Sequence, residues 1–371
     1  MSQNVLVSRP DRLGDVILST PTLTAIRNSY PNSKITFLVR KPMLDVLRGH
    51  PAIDDFLVYD PEGEHQGLSG LFRLIDQIRE REIRFGVALQ NHWKIAAALY
   101  GAGVRYRVGP WGPPYSFLFY NRGVRQRRSR VEMHEADYNL QLLRKIGVRP
   151  FQERPETSLT IPKTTVTWAD RWIQDSGLKG NWVAVHPGMG GSALNWPEAH
   201  YVGLVESLLN QGTSVLLTAG PAEKDLVERV ASEALKRLQN QSPAKGAQLV
   251  SYVSTPNLGV DHLGALLSRA TVVVAPSTGP LHLAVALGRP VVTFFPPVRV
   301  QSALRWGPYL PQESAGSLDS RASVLVPEIY CGQDFKCLGS VCRYFPCMQG
   351  LTIEAAVSEV RRHLNSSHSK E

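Results

Sequence analysis

Residues 272–297, VVVAPSTGPLHLAVALGRPVVTFFPP, constrain the fold of this chain more than any other stretch. An apolar, β-branched run at 271–274 ends at Ala275-Pro276, and the turn Ser277-Thr278-Gly279-Pro280 follows. Residues 281–287 read as a helix stopped by Gly288 and Pro290, and residues 291–295 form a second apolar run. Strand, turn, helix and strand in that order make the unit from which parallel sheets are built. The turn falls at the carboxyl end of a strand and the amino end of a helix, where open α/β sheets place ligands. Free N–H groups and the helix dipole favour an anion there, phosphate above all. Ser277 and Thr278 add hydroxyls, Gly279 admits close approach to the backbone, and His282 lies in the first helical turn. These residues alone leave two readings open: an anion site, or a tight turn over a buried histidine.

The same alternation recurs along the chain. Residues 4–8 are a short apolar strand, Arg9-Pro10-Asp11-Arg12-Leu13-Gly14-Asp15 the next loop, 16–30 a helix and 34–39 a strand. Strands are predicted at 56–59, 85–89 and 105–109, with helices at 68–82 and 94–100. Asp15 sits near the start of the first helix, as a common first-turn carboxylate or as a general base. His92 and Lys94 follow a strand on the expected active face, where they are acceptor contacts or part of a solvated loop. Prolines 150, 155 and 162 punctuate residues 149–164, the expected interdomain connection. A second α/β series starts at 182, with the glycine-rich loop His186-Pro187-Gly188-Met189-Gly190-Gly191-Ser192. Consecutive glycines let several N–H groups face one anion. Glu223 follows a later strand and is either a first-turn helix carboxylate or a ribose ligand.

A length of 371 residues suggests two domains, and 43% hydrophobic with 20% charged residues is ordinary for a soluble protein. No apolar run is long enough to span a membrane, and the first residues lack the pattern of a signal peptide, so a cytoplasmic location is expected. The net charge of +9 implies acidic partners. No nucleic-acid motif is found, so nucleic acid is not expected among them. Arg122, Arg125, Arg127, Arg128 and Arg130 form a basic cluster, either solvated surface or a site for acceptor phosphates or the membrane surface. Cys331, Cys337, Cys342 and Cys347 fall within seventeen residues. A structural zinc site, disulfide or redox chemistry, and free thiols are all compatible with their spacing.

Several of these segments resemble glycosyltransferase family 9, the heptosyltransferases of lipopolysaccharide assembly. STGPLHLAVALGRPV resembles its D-T-G-P-x-H-L-A-A-A-L-G segment, with Ser277 in place of the aspartate. RLGDVILSTP resembles its N-terminal L-G-D motif, which implies Asp15 as the catalytic base and Arg12 as a neighbouring acceptor contact. GAGVRYRVG and the His134-Glu135-Ala136-Asp137 segment resemble further family segments, and His134 joins His92 and Lys94 as an implied acceptor contact. AVHPGMGGSALNWP resembles the donor-domain loop, which implies Gly188, Gly190, Gly191 and Ser192 as donor contacts. Leu194 stands where many members carry a lysine or arginine, and Arg299 or Arg305 is a candidate replacement for that charge. Pro221-Ala222-Glu223 resembles the ribose-binding position, and Ser277, Thr278, Gly279, Pro280 and His282 complete the implied donor set.

The resemblance implies an α/β protein of GT-B architecture, two Rossmann-like doubly wound domains facing a central cleft. The expected boundaries are 1–160 for the acceptor domain, 161–350 for the donor domain, and 351–371 for a helix returning toward the first domain plus a polar tail. It further implies inverting transfer of a heptose from ADP-heptose to an anionic glycolipid acceptor, with peripheral contact at the inner membrane surface. No metal is required for this catalysis, and zinc enters only as a possible structural ion at the four cysteines. The rival readings are a transferase with another nucleotide sugar or acceptor, and a non-catalytic nucleotide- or glycan-binding relative. A dinucleotide oxidoreductase is disfavoured, because no G-x-G-x-x-G follows the first strand.

Overall fold

The computed structural model describes residues 3–149, 155–191, 193–239, 246–310, 321–331 and 336–368. They divide into two compact units, Met1–Arg128 with Glu132–Thr160, and Ser129–Val131 with Ile161–Glu371.

The first unit holds a parallel sheet of strands β1 (Val5–Ser8), β2 (Ile35–Val39), β3 (Asp55–Val58), β4 (Phe85–Ala88) and β5 (Tyr106–Val108), in the order β3-β2-β1-β4-β5. Every residue of β1, β2 and β4 is buried, as expected of strands covered on both faces. Its helices include α1 (Leu13–Ile17), α2 (Thr20–Ser29), α3 (Gly67–Glu80), α4 (Trp93–Gly101), α5 (Pro114–Phe119) and α6 (Glu135–Leu143). Leu6, Leu38 and Ala88 share a core with Leu74 and Ile78 of α3 and with Ile95, Ala98 and Leu99 of α4.

The single helix expected at 16–30 is two helices. Pro21 stands in the first turn of α2 and has no N–H to continue the ladder of α1. The Thr20 hydroxyl donates to the Ile17 carbonyl (2.8 Å) and the Ser19 hydroxyl to the Asp15 carbonyl (2.7 Å), so side chains satisfy the end of α1.

The second unit holds six parallel strands: β6 (Trp182–Val185), β7 (Ser214–Ala219), β8 (Leu249–Val253), β9 (Val272–Pro276), β10 (Val291–Phe294) and β11 (Ala322–Leu325). Their order is β8-β7-β6-β9-β10-β11. Helices α7 (Lys163–Asp175), α8 (Glu198–Asn210), α9 (Lys224–Gln239), α10 (Val260–Leu267), α11 (Gly279–Ala286) and α12 (Ile353–His368) accompany them. Trp196 anchors one face: its ring stacks on Phe294 at 4.2 Å and its Nε1 donates to the Leu351 carbonyl at 2.8 Å. The last helix, expected to return toward the first domain, contributes Ala356, Val357 and Val360 to the core of the second unit. Among the described residues, no helix is long and apolar enough to cross a membrane.

One buried histidine makes the stability of the first unit acid-sensitive. His50 is buried, with Nδ1 accepting from the Ala52 N–H (3.2 Å) and Nε2 3.2 Å from the Ser158 hydroxyl. Burial lowers its pKa from 6.5 to about 4. The unfolded chain therefore takes up a proton that the native state refuses. The contribution is complete above pH 6.5 and is lost as pH falls toward 4. Between those limits the unfolding free energy from denaturant titrations should fall by about 2–3 kcal/mol more in the wild type than in His50→Gln, and equal losses would refute this assignment.

Candidate active site

In the first unit β1 lies between β2 and β4, so the loops after these three parallel strands share one edge. Arg9 follows β1 directly and is 3% exposed. A guanidinium cannot be deprotonated to escape burial, so it needs anionic partners. Its Nη1 donates to the Leu89 carbonyl (3.3 Å), Glu135 Oε1 (3.3 Å) and Asn139 Oδ1 (3.2 Å). Its Nη2 donates to Asp15 Oδ1 and to Glu135 Oε1 (3.2 Å). Nε lies 2.9 Å from Asp11 Oδ2 as an ion pair, but out of line for a hydrogen bond. Burial works against the Arg9 charge, and Asp15, Glu135 and Asp11 together outweigh it, raising its pKa.

Glu135 opens α6 and is fully buried. Arg128 donates to the same Glu135 oxygen through Nη1 and to the Leu89 carbonyl through Nη2 (2.8 Å), with its guanidinium 5.5 Å from the centroid of the Tyr138 ring. Asn139 closes the network by donating to the Leu18 carbonyl (3.2 Å). Asp15 keeps 20% of its side chain exposed, enough for a reacting group to reach it. Burial raises its pKa above the usual carboxylate range; Arg9 opposes the shift, while Asp11 and Glu135 add to it.

The implied acceptor residues take structural positions around this network. His92 caps α4, its Nδ1 accepting from the Ile95 N–H (3.4 Å), and its ring meets Tyr59 edge-on at 5.3 Å. Burial lowers the His92 pKa, Asp11 opposes that, and Lys94 and Arg40 add to it. Asp11 after β1, Arg40 after β2 and His92 after β4 therefore share one electrostatic environment. Lys94 donates to the His65 carbonyl (2.9 Å), and His134 caps α6 by accepting from the Ala136 N–H (3.2 Å). Arg12 is the exposed N-cap residue of α1. Arg9 and Glu135 stood in the sequence reading without a role, Asn139 not at all, and Arg128 only within a basic cluster. A useful signal would have been an arginine between a buried strand and two aspartates, which needs a further anion once that strand is central.

In the second unit β6 lies between β7 and β9, so the loops at 186–191, 220–223 and 277–279 share an edge. Glu223 Oε2 accepts from the Gly220 N–H (2.9 Å) and lies 3.4 Å from His186 Nε2. His186 Nδ1 is 3.0 Å from the Thr218 hydroxyl, so β7 orients the histidine that orients the glutamate. The His186 hydrogen bond holds the Glu223 carboxyl below its usual range; burial opposes this, and the Gly220 N–H adds to it. A Cβ at Gly188 would stand 2.2 Å from Glu223 Cδ, so only glycine fits above that carboxylate. Gly191 has φ +73°, in the left-handed region, and Gly190 is exposed beside it. Ser192 lies outside the described residues.

Asn195 pins the far end of this loop by donating to the Pro187 carbonyl (2.8 Å), and the Leu194 N–H donates to Gln301 Oε1 (3.3 Å). Gln301 closes the turn Arg299–Gln301, which brings that segment to the loop that lacks a lysine. Thr278 is the N-cap of α11 and makes no side-chain capping bond; Ser277 and Gly279 are half-buried, and Pro280 and His282 are buried under the turn. The four cysteines are half-buried free thiols, with Cys337 Sγ accepting from the Gly339 N–H (3.3 Å). Among the described residues, no three or more His, Cys, Asp or Glu side chains are grouped to hold a metal ion.

Comparison with known proteins converges on one family. The model of glycosyltransferase family 9 (heptosyltransferase) matches residues 71–324. A putative glycosyltransferase of Haemophilus influenzae is 29% identical over 313 residues, covering 82% of this chain and 86% of that protein. Lipopolysaccharide heptosyltransferase 3 of Escherichia coli is 23% identical, covering 76% of this chain and 80% of its own length. The solved structure of the Escherichia coli ADP-heptose lipopolysaccharide heptosyltransferase II superimposes with a TM-score of 0.74 at 17% identity, covering 99% of this chain and 100% of that one. Its fold is the GT-B arrangement that the two parallel sheets follow here. The chain belongs to glycosyltransferase family 9, the heptosyltransferase family.

Proposed function

We propose that this glycosyltransferase moves a heptose from ADP-heptose to a hydroxyl of an anionic lipopolysaccharide-core acceptor, with inversion and with no catalytic metal. The observation that carries this reading is Asp15, a partly exposed carboxylate of raised pKa held by Arg9 at the carboxyl end of the central strand. Raising its pKa makes the carboxylate a better proton acceptor, and it takes the hydroxyl proton as the new C–O bond forms. Arg9 orients the carboxylate through Oδ1, and Asp11 and Glu135 keep it basic enough to take the proton. The bond from the anomeric carbon to the diphosphate breaks as the acceptor oxygen attacks from the opposite face. The transition state has oxocarbenium character, as in glycoside hydrolysis.

Charge then collects on the departing ADP. Backbone N–H groups of the 188–191 loop and of the Thr278-Gly279 turn, with the α11 dipole behind the latter, stabilise it. Glu223 spends Oε2 on Gly220 and His186, which leaves Oε1 to accept from ribose hydroxyls. Arg299, two residues before the Gln301 that holds the Leu194 N–H, is the replacement cation for the diphosphate, with Arg305 beside it. His92, Lys94, His134 and Arg12 belong to the acceptor side. The names of the relatives support a heptose donor, and Ser277 in place of aspartate favours one alternative, another sugar on the same nucleotide.

Four outcomes test the reading. Asp15→Asn should lower kcat by about 10²–10⁴-fold while ADP still raises the melting temperature; full activity in that variant would remove the base. Glu135→Gln should move the acid limb of the kcat/KM profile to lower pH, because the charge it deletes raises the Asp15 pKa. A limb that stays in place would assign it to another group. Gly188→Ala should weaken ADP binding by roughly ten-fold, by displacing the carboxylate beneath it, and should leave the pH profile alone. A melting shift with UDP, GDP or dTDP but none with ADP would replace the donor and retain the mechanism.

A further inference from the structure

Between Glu82 and Glu132 the chain carries nine lysines and arginines and not one aspartate or glutamate, a stretch whose charge equals the +9 of the whole molecule. This stretch builds α4 and α5, which pack on each other at one side of the first unit. Trp93 and Tyr100, seven residues apart and so on one face of α4, are 50% and 53% exposed. Phe117 and Leu118 of α5 are 60% and 67% exposed. The rings adjoin: Tyr100 meets Phe119 at 5.7 Å and Trp111 stacks with Phe117 at 5.5 Å. Cations border them directly, with Lys94 over Trp93, Arg107 over Tyr100, and Arg105 and Arg122 over Tyr106. Beside Trp111 a cavity of about 450 Å³ is lined by Arg122, Arg144 and Lys145.

The geometry points to this α4–α5 face as a docking surface for an anionic lipid bilayer, with Phe117, Leu118, Trp111 and Trp93 entering the interface and the cavity taking a lipid phosphate. Exposed aliphatic and aromatic groups on one face are costly in water and favourable at the headgroup boundary, where tryptophan and tyrosine concentrate. Lysines and arginines with no intervening acid supply attraction to anionic lipid. Charge complementarity decides the occupant. Leu68 and Phe72 of α3 are also exposed, but Glu62, Glu64 and Asp76 stand near them in sequence, and that helix is outside the surface. The inference is independent of the donor and goes beyond the catalytic reading: the family resemblance implies peripheral membrane contact, and the face that makes it is what is new.

Vesicle co-sedimentation of the full chain tests it. The protein should pellet with phosphatidylcholine vesicles containing phosphatidylglycerol and stay in solution with phosphatidylcholine alone. Arg105→Glu with Lys145→Glu should cut partitioning by about five-fold or more per cation. Phe117→Ser with Leu118→Ser should cut it by roughly ten-fold or more, since apolar burial is lost. All four side chains are exposed, so the variants should melt as the wild type does, with the same ADP shift and the same turnover of a water-soluble acceptor. Unchanged partitioning in both double variants, or no binding to anionic vesicles, would overturn the proposal. So would a wild-type dimer that the Phe117/Leu118 variant converts to monomer, since the occupant would then be a second copy of the chain. Loss of soluble-acceptor turnover would also overturn it, by placing these residues in the transferase site.

Discussion

A guanidinium buried at the end of the central strand sets the terms for the first unit. Arg9 cannot shed its charge, and leaving it unpaired at that depth would cost several kcal/mol. The chain answers with carboxylates from two distant places, Asp11 and Asp15 in the loop it begins and Glu135 at the start of α6, and with the Leu89 carbonyl after β4. Loop, neighbouring strand and helix are thereby tied to one atom group. Three carboxylates around two arginines still leave the cluster one negative charge in excess if all are ionised. Two members are partly exposed, Asp11 and Asp15, and Asp15 is the more enclosed of the two. Asp15 is thus the carboxylate that burial and like charge make basic, while the buried Glu135 is held between Arg9 and Arg128.

Much of the layering was legible in the sequence because parallel strands covered on both faces read as continuous apolar runs. The strand expected at 85–89 is β4, and the turn expected at 277–280 runs from the end of β9 into the first turn of α11. Failures came where the local signal was weak or ambiguous. Pro21 splits a run whose apolar spacing otherwise continues, and α5 sits among prolines and aromatics that suit several conformations. Edge strand β11 is short and only partly buried, so it lacks the apolar run that marks the inner strands.

The candidate site was legible only one residue at a time. Asp15, Glu223 and the Ser277 turn could be singled out because each follows a strand. The pairing of Arg9 with Glu135 spans 126 positions, and no periodicity encodes a contact of that range. The arginines at 122–130 illustrate the difference. In sequence they are one basic cluster, yet Arg128 turns inward to Glu135 while Arg122 covers the Tyr106 ring and donates to the Lys145 carbonyl at 2.8 Å. Charge density predicts a surface, but only the partner decides which charges remain on it.

The structural and chemical readings of a loop carboxylate or histidine also turn out not to compete. A helix that starts at the carboxyl end of a parallel strand needs its first N–H groups satisfied, and that is the same edge where ligands bind. His92 and His134 cap helices there, and Glu223 caps the turn it occupies. For Glu223 the cap engages one oxygen and Gly188 leaves room for the carboxylate, so fixing the turn also fixes where the second oxygen stands. Rigidity of this kind matters because a positioned group loses less freedom when its ligand arrives. Leu194 fits the same logic. Its N–H is spent on Gln301, which draws the Arg299–Gln301 turn to the glycine loop. A segment that follows one strand end is thereby held beside the loop that follows another, since both lie on the same edge of one sheet.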